Sequence, residues 1–319
     1  MGLSPAQPAI SAIGLRKSFG DRTVLDGLDL HVPAGTIFSL LGPNGSGKTT
    51  TARILSTLTC ADAGRVRIAG HDLAVGPGAA RAVIGAAGLF SRVDVLRTGE
   101  ENLTLTAALH RLNPGEGRRR VAELLDRFDL AEAAGSPVAT YSGGMRRRLD
   151  LAMILVGDPR VIFLDEPTSG MDARGRRAMW RIIRGLVAEN VTVFHTTRCA
   201  EEAEELADRI AVLDHGRLVA EGTVEELKRL APDGHVLLRF TGAEEFEWAT
   251  RAFAEAPRDD DAFTLRIPSD CSVGSLRVLF NRIDHELLAV DELSVHTPGL
   301  DDVLLTLTNH PTNRKTPTL

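Results

Sequence analysis

The segment Gly42-Pro43-Asn44-Gly45-Ser46-Gly47-Lys48-Thr49-Thr50 constrains this chain more than any other. It follows the apolar run Thr36 to Leu41 and precedes a helical pattern that continues to about Leu58, so it reads as strand, glycine loop, helix. Gly42 to Thr49 fits G-x-x-x-x-G-K-[ST]. Glycines at those places let the backbone curl until successive N–H groups face one phosphate at the positive end of the following helix. Lys48 can reach the β- and γ-phosphates, Thr49 can ligate Mg²⁺, and Thr50 can cover the α-phosphate. The expected ligand is a nucleoside triphosphate with Mg²⁺.

The remaining pattern supplies an α/β frame for this loop. Ile10 to Leu15 and Val24 to Val32 read as strands, punctuated by Gly20-Asp21 and Pro33-Ala34-Gly35. From about Leu96 to Val156 the apolar spacing turns helical. Strands and helices then alternate from Val161 to a hairpin around Asp214-His215-Gly216, which implies a mostly parallel sheet with a helical insertion. Thr223-Val224-Glu225-Glu226 reads as a capping box. Ala231-Pro232-Asp233-Gly234 is the expected linker, after which strands and helices restart as a small domain. A length of 319 residues suits two such domains.

Composition narrows the setting. With 37 basic and 43 acidic residues the net charge is −6, which argues against a general nucleic-acid binder. Cys60, Cys199 and Cys271 form no paired framework, as expected of a reducing cytoplasm. Apolar runs such as Val161 to Leu164 fall far short of the roughly 18 residues of a membrane helix. The N-terminus lacks a signal-peptide pattern, so the chain is expected to be soluble and cytoplasmic, reaching a membrane only through a partner.

Three further segments carry chemistry. Val161-Ile162-Phe163-Leu164-Asp165-Glu166 places two carboxylates at the end of an apolar strand, Asp165 where a Mg²⁺ ligand is wanted and Glu166 where a general base could orient water. Tyr141-Ser142-Gly143-Gly144-Met145 opens a helix; alone, Ser142 would be read as a helix cap. Ser169-Gly170-Met171-Asp172 follows. Arg146-Arg147-Arg148 opposes its helix dipole and reads either as a solvated face paired with carboxylates or as a surface for an anion or acidic partner.

In this order the motifs resemble the ATP-binding subunit of ABC transporters, over about residues 10 to 230. The resemblance implies a P-loop NTPase cassette: a mixed, mainly parallel sheet core with an antiparallel β subdomain and a helical subdomain at about 96–157. The ATP-binding domain would span 1–231, and a small C-terminal α/β domain 235–319. Gly42 to Thr49 would be the Walker A loop, Asp165 and Glu166 the Walker B pair, with Glu166 as catalytic base, and Asp172 part of the D-loop. Ser142-Gly143-Gly144 would be the signature that closes over ATP held by the other subunit of a head-to-tail homodimer. Phe19 occupies the place of the aromatic residue that stacks on adenine.

Two positions depart from the family pattern. Leu89 stands where a glutamine is usual, and a leucine can neither ligate Mg²⁺ nor hold water. Arg198 stands at the switch histidine's place; it could contact a γ-phosphate as a cation, while His195, three residues earlier on a strand, is expected to point elsewhere. Nucleotide binding should survive, with hydrolysis slow or partner-dependent.

Tyr-Ser-Gly-Gly-Met followed by Arg-Arg-Arg-Leu, Ala211 to Arg217 with Ala220-Glu221-Gly222-Thr223, and the tail from Thr297 to Leu305 resemble the daunorubicin-resistance branch of drug exporters. Its members work with a separate ABC-2 type permease, and often depart from histidine at the switch position. The alternatives are a soluble ABC protein of translation or repair, which would carry a second cassette or a long coiled coil, and a nucleotide-binding regulatory module without hydrolysis.

Overall fold

The computed structural model of the chain describes residues 8–89, 92–231 and 234–308. The chain divides into two compact units, 1–224 and 225–319. Pro232 and Asp233 of the expected linker lie outside the described residues.

The first unit is built on two sheets. Strands β1 (Ile10–Phe19), β2 (Arg22–Val32), β4 (Ala63–Ile68) and β5 (His71–Asp72) form an antiparallel sheet in the order β2-β1-β4-β5. Strands β3 (Ile37–Leu41), β6 (Ile84–Ala87), β7 (Val161–Asp165), β8 (Thr192–Thr197), β9 (Arg209–Asp214) and β10 (Arg217–Gly222) form the central sheet in the order β10-β9-β3-β8-β7-β6. Five of these run parallel, and β10 returns antiparallel to β9. Both faces are covered, so the strands read as nearly continuous apolar runs.

Successive residues of β7 enter opposite cores. Val161 and Phe163 pack with Phe38, Phe194 and residues of the antiparallel sheet, while Ile162 and Leu164 face the helical side. Phe194 sits between Phe38 and Phe163, with ring centroids 5.8 and 5.7 Å away, so β3, β8 and β7 are locked at one level.

The helices begin where the sequence supplies caps. Helix α1 (Lys48–Leu55) leaves the glycine loop, and the short α2 (Pro77–Arg81) precedes β6. In α3 (Gly99–Leu109), Thr98 and Glu101 form a capping box. Asn113 caps α4 (Pro114–Arg127), Ser142 caps α5 (Gly143–Leu155), and Asp172 caps α6 (Ala173–Ala188). Helices α7 (Ala200–Leu206) and α8 (Val224–Lys228) follow β8 and β10. Arg146 donates to the carbonyls of Val138 and Ala139, and Arg148 to those of Phe128 and Asp129 and to the Asp129 carboxylate. Those two arginines are therefore bound within the helical region, Arg148 at the carbonyl end of α4 where a cation is favoured.

The second unit contains β11 (His235–Arg239), α9 (Ala243–Ala252), β12 (Arg258–Asp259), β13 (Thr264–Pro268), α10 (Val273–His285), β14 (Glu292–His296) and α11 (Leu300–Thr308). Its sheet has the order β12-β13-β11-β14 with every pairing antiparallel, a βαββαβ arrangement. Val236, Leu238, Phe240, Phe246, Phe253, Leu265 and Leu279 form its core. Among the described residues no helix is long and apolar enough to cross a membrane.

Gly85 of β6 marks a close approach between the sheet and α5, since a Cβ there would lie 1.9 Å from Ile154 Cγ2. Gly85→Ala should cost about 1–3 kcal/mol in urea denaturation. Combined with Ile154→Ala it should cost less than the two single losses added; strict additivity would show that the two positions do not meet.

Candidate functional site

The site lies at the C-terminal ends of the parallel strands, where β3 opens into the glycine loop. Two glycines there have no substitute. Gly47 has φ +110°, and a Cβ on it would lie 2.7 Å from Leu25 Cδ2. A Cβ on Gly42 would lie 2.2 Å from the carbonyl oxygen of Leu213. The loop can therefore fold down against β2 and β9 with its backbone exposed toward the ligand side.

Pro43, Asn44 and Gly45 are exposed, whereas Ser46, Gly47 and Lys48 are buried. The ammonium of Lys48 donates to the carbonyls of Gly42 (2.8 Å) and Pro43 (2.9 Å), folded over its own loop. Burial pushes the Lys48 ammonium below the usual lysine range, against the opposing pull of Glu166 and Asp165; Arg198 adds to the lowering. Ser46 Oγ is buried with no hydrogen-bond partner among the described residues. An orphaned hydroxyl, a buried ammonium and the free amides of the first turn of α1 fit an anion.

Across the loop, Thr49 Oγ1 donates to both oxygens of Asp165, at 3.2 and 3.1 Å. Thr196 of β8 hydrogen-bonds the same carboxylate from below. A hydroxyl and a carboxylate facing each other are hard oxygen donors of the kind Mg²⁺ prefers. Glu166 follows at once, with φ +44° and its N–H donating to the Thr196 carbonyl at 3.0 Å. Its carboxylate faces Arg198 Nε at 3.9 Å. His195, in contrast, is fully buried and bonded to Ser39 of β3. Burial pushes its imidazole below the usual histidine range, with Glu202 pulling the other way.

Other residues singled out in the sequence stand apart from this cluster. Phe19 is 54% exposed at the tip of the β1–β2 hairpin, with Lys17 Nζ 5.2 Å from its ring centroid. Ser142 accepts from the Met145 N–H at 3.2 Å, Asp172 from the Gly175 N–H at 2.7 Å, and both caps are exposed. Among the described residues no hydrogen bond joins Ser142-Gly143-Gly144 to the glycine loop. Leu89 is buried in the apolar core beside the antiparallel sheet. Thr196, Thr197 and Glu202 were not singled out by sequence reasoning. The signal for the two threonines was hydroxyls at the end of a strand whose neighbour carries Asp165.

A phosphate-loop α/β nucleotide-binding domain is the class that this fold and cluster define. The ABC transporter family profile matches residues 25–169. The daunorubicin resistance ATP-binding protein DrrA3 of Streptomyces coeruleorubidus is 43% identical, over 95% of this chain and 96% of that one. The daunorubicin/doxorubicin resistance ATP-binding protein DrrA of Streptomyces peucetius is 42% identical, over 95% and 93%. The Nod factor export ATP-binding protein I of Ralstonia nicotianae is 42% identical over 69% of this chain and 68% of that one. Among solved structures, an ATP-binding subunit of an ABC transporter superposes with TM-score 0.63 at 27% identity, over 69% of this chain and 92% of that one. A dimeric ATP-binding cassette in a post-hydrolysis state bound to ADP and Pi gives 0.61 at 25% identity, over 67% and 98%. The chain belongs to the ABC transporter ATP-binding family, and along nearly its whole length it is similar to the daunorubicin-resistance proteins.

The left-handed backbone of Glu166 should be visible as strain. Glu166→Gly and Glu166→Ala both lose the carboxylate, yet the glycine variant should be more stable by about 1 kcal/mol in chemical denaturation. Equal midpoints would show that this conformation stores no strain.

Proposed function

We propose that this chain binds and hydrolyses MgATP at the interface of a head-to-tail homodimer. The cycle drives export of a drug or antibiotic-like compound through a separate ABC-2 type permease at the cytoplasmic face of the cell membrane. The observation that carries this reading is the meeting of Lys48, Thr49, Asp165 and Glu166 at one loop, with Ser46 Oγ left for a further acceptor or donor.

Gly42 to Thr50 would hold the phosphates through backbone amides, with Lys48 exchanging its two carbonyl partners for phosphate oxygens. Thr49 and Asp165 would hold Mg²⁺, which when bound neutralises phosphate charge and polarises the γ-phosphoryl group. Glu166 orients the attacking water and accepts its proton. Arg198 offers a cation to the γ-phosphate in place of an imidazole. Phe19, exposed at the hairpin tip, would stack on adenine. The exposed Ser142, Gly143 and Asp172 would be presented to the second copy, a reading supported by the likeness to a dimeric cassette. The drug-resistance names of the relatives support the kind of cargo, which the permease would select.

A nucleotide-binding regulatory module is the second reading, favoured by Leu89 lying in the core and by Arg198 facing the base it would have to free. Glu166→Gln separates the two. With MgATP it should form a stable dimer in size-exclusion chromatography with light scattering, and Lys48→Ala should abolish that dimer. A chain that stays monomeric with saturating ATP, even beside its permease, overturns the transport reading.

Turnover should also be slow. Steady-state phosphate release by the purified chain should fall about a hundredfold or more below that of a cassette with both usual residues, the scale of losing one preorganised polar group. A rate equal to such a cassette would remove the case for altered γ-phosphate sensing.

A further inference from the structure

Glu202 lies on the first turn of α7 and is 2% exposed. A carboxylate in such surroundings is costly unless its lone pairs are filled. Among the described residues no lysine or arginine pairs with it; its partners are neutral donors. Oε2 accepts from Thr197 Oγ1 at 2.6 Å, and Oε1 accepts from Thr168 Oγ1 at 2.7 Å and from Trp180 Nε1 at 3.4 Å.

These donors come from the segments that carry the site. Thr197 is the last residue of β8 and immediately precedes Arg198, and its oxygen also accepts the Cys199 N–H at 3.0 Å, closing the turn on which Arg198 stands. Thr168 lies two residues beyond Glu166 in the loop after β7. Trp180 belongs to α6, the helix capped by Asp172. One carboxylate thus ties together the turn of Arg198, the loop of Glu166 and the helix that follows Asp172.

We propose that Glu202 is a positioning residue for the γ-phosphate: through Thr197 and Thr168 it fixes the turn bearing Arg198 against the loop bearing Glu166, and thereby sets the preference of the site for ATP over ADP. This rests on the reading of Glu166 and Arg198 as γ-phosphate residues. A purely structural role for the same carboxylate would lower stability and weaken both nucleotides alike.

The test is calorimetric titration of the full chain with MgADP and with Mg²⁺ and the β,γ-imido analogue of ATP, which removes turnover from the measurement. Glu202→Gln, and Thr197→Val as a gentler change at the same link, should weaken the analogue by about five- to tenfold and leave ADP unchanged. Arg198→Ala should do the same, and Arg198→Ala with Thr197→Val should lose no more than Arg198→Ala alone. Equal losses for both nucleotides, an unchanged ratio, losses that multiply in the double variant, or a wild type that binds both nucleotides equally would each overturn the proposal. A wild type that binds neither nucleotide overturns instead the reading on which it rests.

Discussion

The contact between Thr49 and Asp165 has to bridge the strand that lies between them, and much of the site follows from how that gap is closed. β3 and β7 are separated by β8, so their ends stand about 10 Å apart. The loop leaving β3 brings the first turn of α1 back over β8, where Thr49 meets the carboxylate, while Thr196 at the end of β8 supports the same carboxylate from within the sheet. This return path requires the loop to lie close against its neighbours. Gly42 permits it at the Leu213 carbonyl and Gly47 at Leu25. The stack of Phe38, Phe194 and Phe163 on the same three strands keeps their ends level. A slip of β8 by one residue would move Thr196 to the opposite face and leave Asp165 without its lower partner.

Charge is arranged around that bridge so that each group has a provisional partner. Lys48 is spent on the loop's own carbonyls, and Glu166 faces Arg198. These two provisional contacts differ in strength. The Lys48 ammonium is buried, so phosphate oxygens that replace two carbonyls gain a charge-assisted contact in a poorly hydrated place. The Arg198 side chain is 59% exposed and that of Glu166 32%, so at 3.9 Å water and salt screen the pair. Arg198 is accordingly a cation that can change partner at small cost. Its turn is better fixed than its side chain, because Thr197 is held in the interior.

The parts of this molecule legible in the sequence were those in which one local pattern decides one element. The glycine loop, the apolar strand ending in Asp165-Glu166, and the serine that opens α5 belong to this kind, as does the helical stretch after Leu96. The stretch from Ala63 to Arg81 gave no such signal: β4 has exposed residues at four of its six positions and pairs non-locally with β1, and β5, paired with β4, is two residues long. In the second unit the pattern revealed strands and helices but not their order. Whether a helix returns the chain to an adjacent strand or past it depends on pairing that alternating residues do not encode, and here β11 ends between β13 and β14. Glu202 was hidden for a related reason. In Glu201-Glu202 one carboxylate faces Arg176 at the surface and the other is sealed inside, and composition cannot tell the two apart.

Leu89 shows why a departure from a family pattern should not be read as a missing ligand alone. The side chain is 7% exposed and belongs to the apolar core, so the chain just beyond β6 is held at this residue by burial. Gly88 N–H donates to Asp150 Oδ2 at 3.4 Å, and Asp150 is buried on α5, with Arg147 and Arg92 opposing the rise that burial imposes on its carboxyl. A glutamine introduced at position 89 would therefore not return an amide to the phosphate site; it would first place that amide in apolar surroundings, at a cost of about 1–3 kcal/mol. With Gly88 and Leu89 held in this way, the proposed reading leaves side-chain contacts to the end of the triphosphate to the residues at the ends of β7 and β8. In the proposed reading the groups left there are Glu166, held at positive φ, and Arg198, a cation only loosely tied to it, which offer charge to the nucleotide but neither an amide nor an imidazole to set the attacking water.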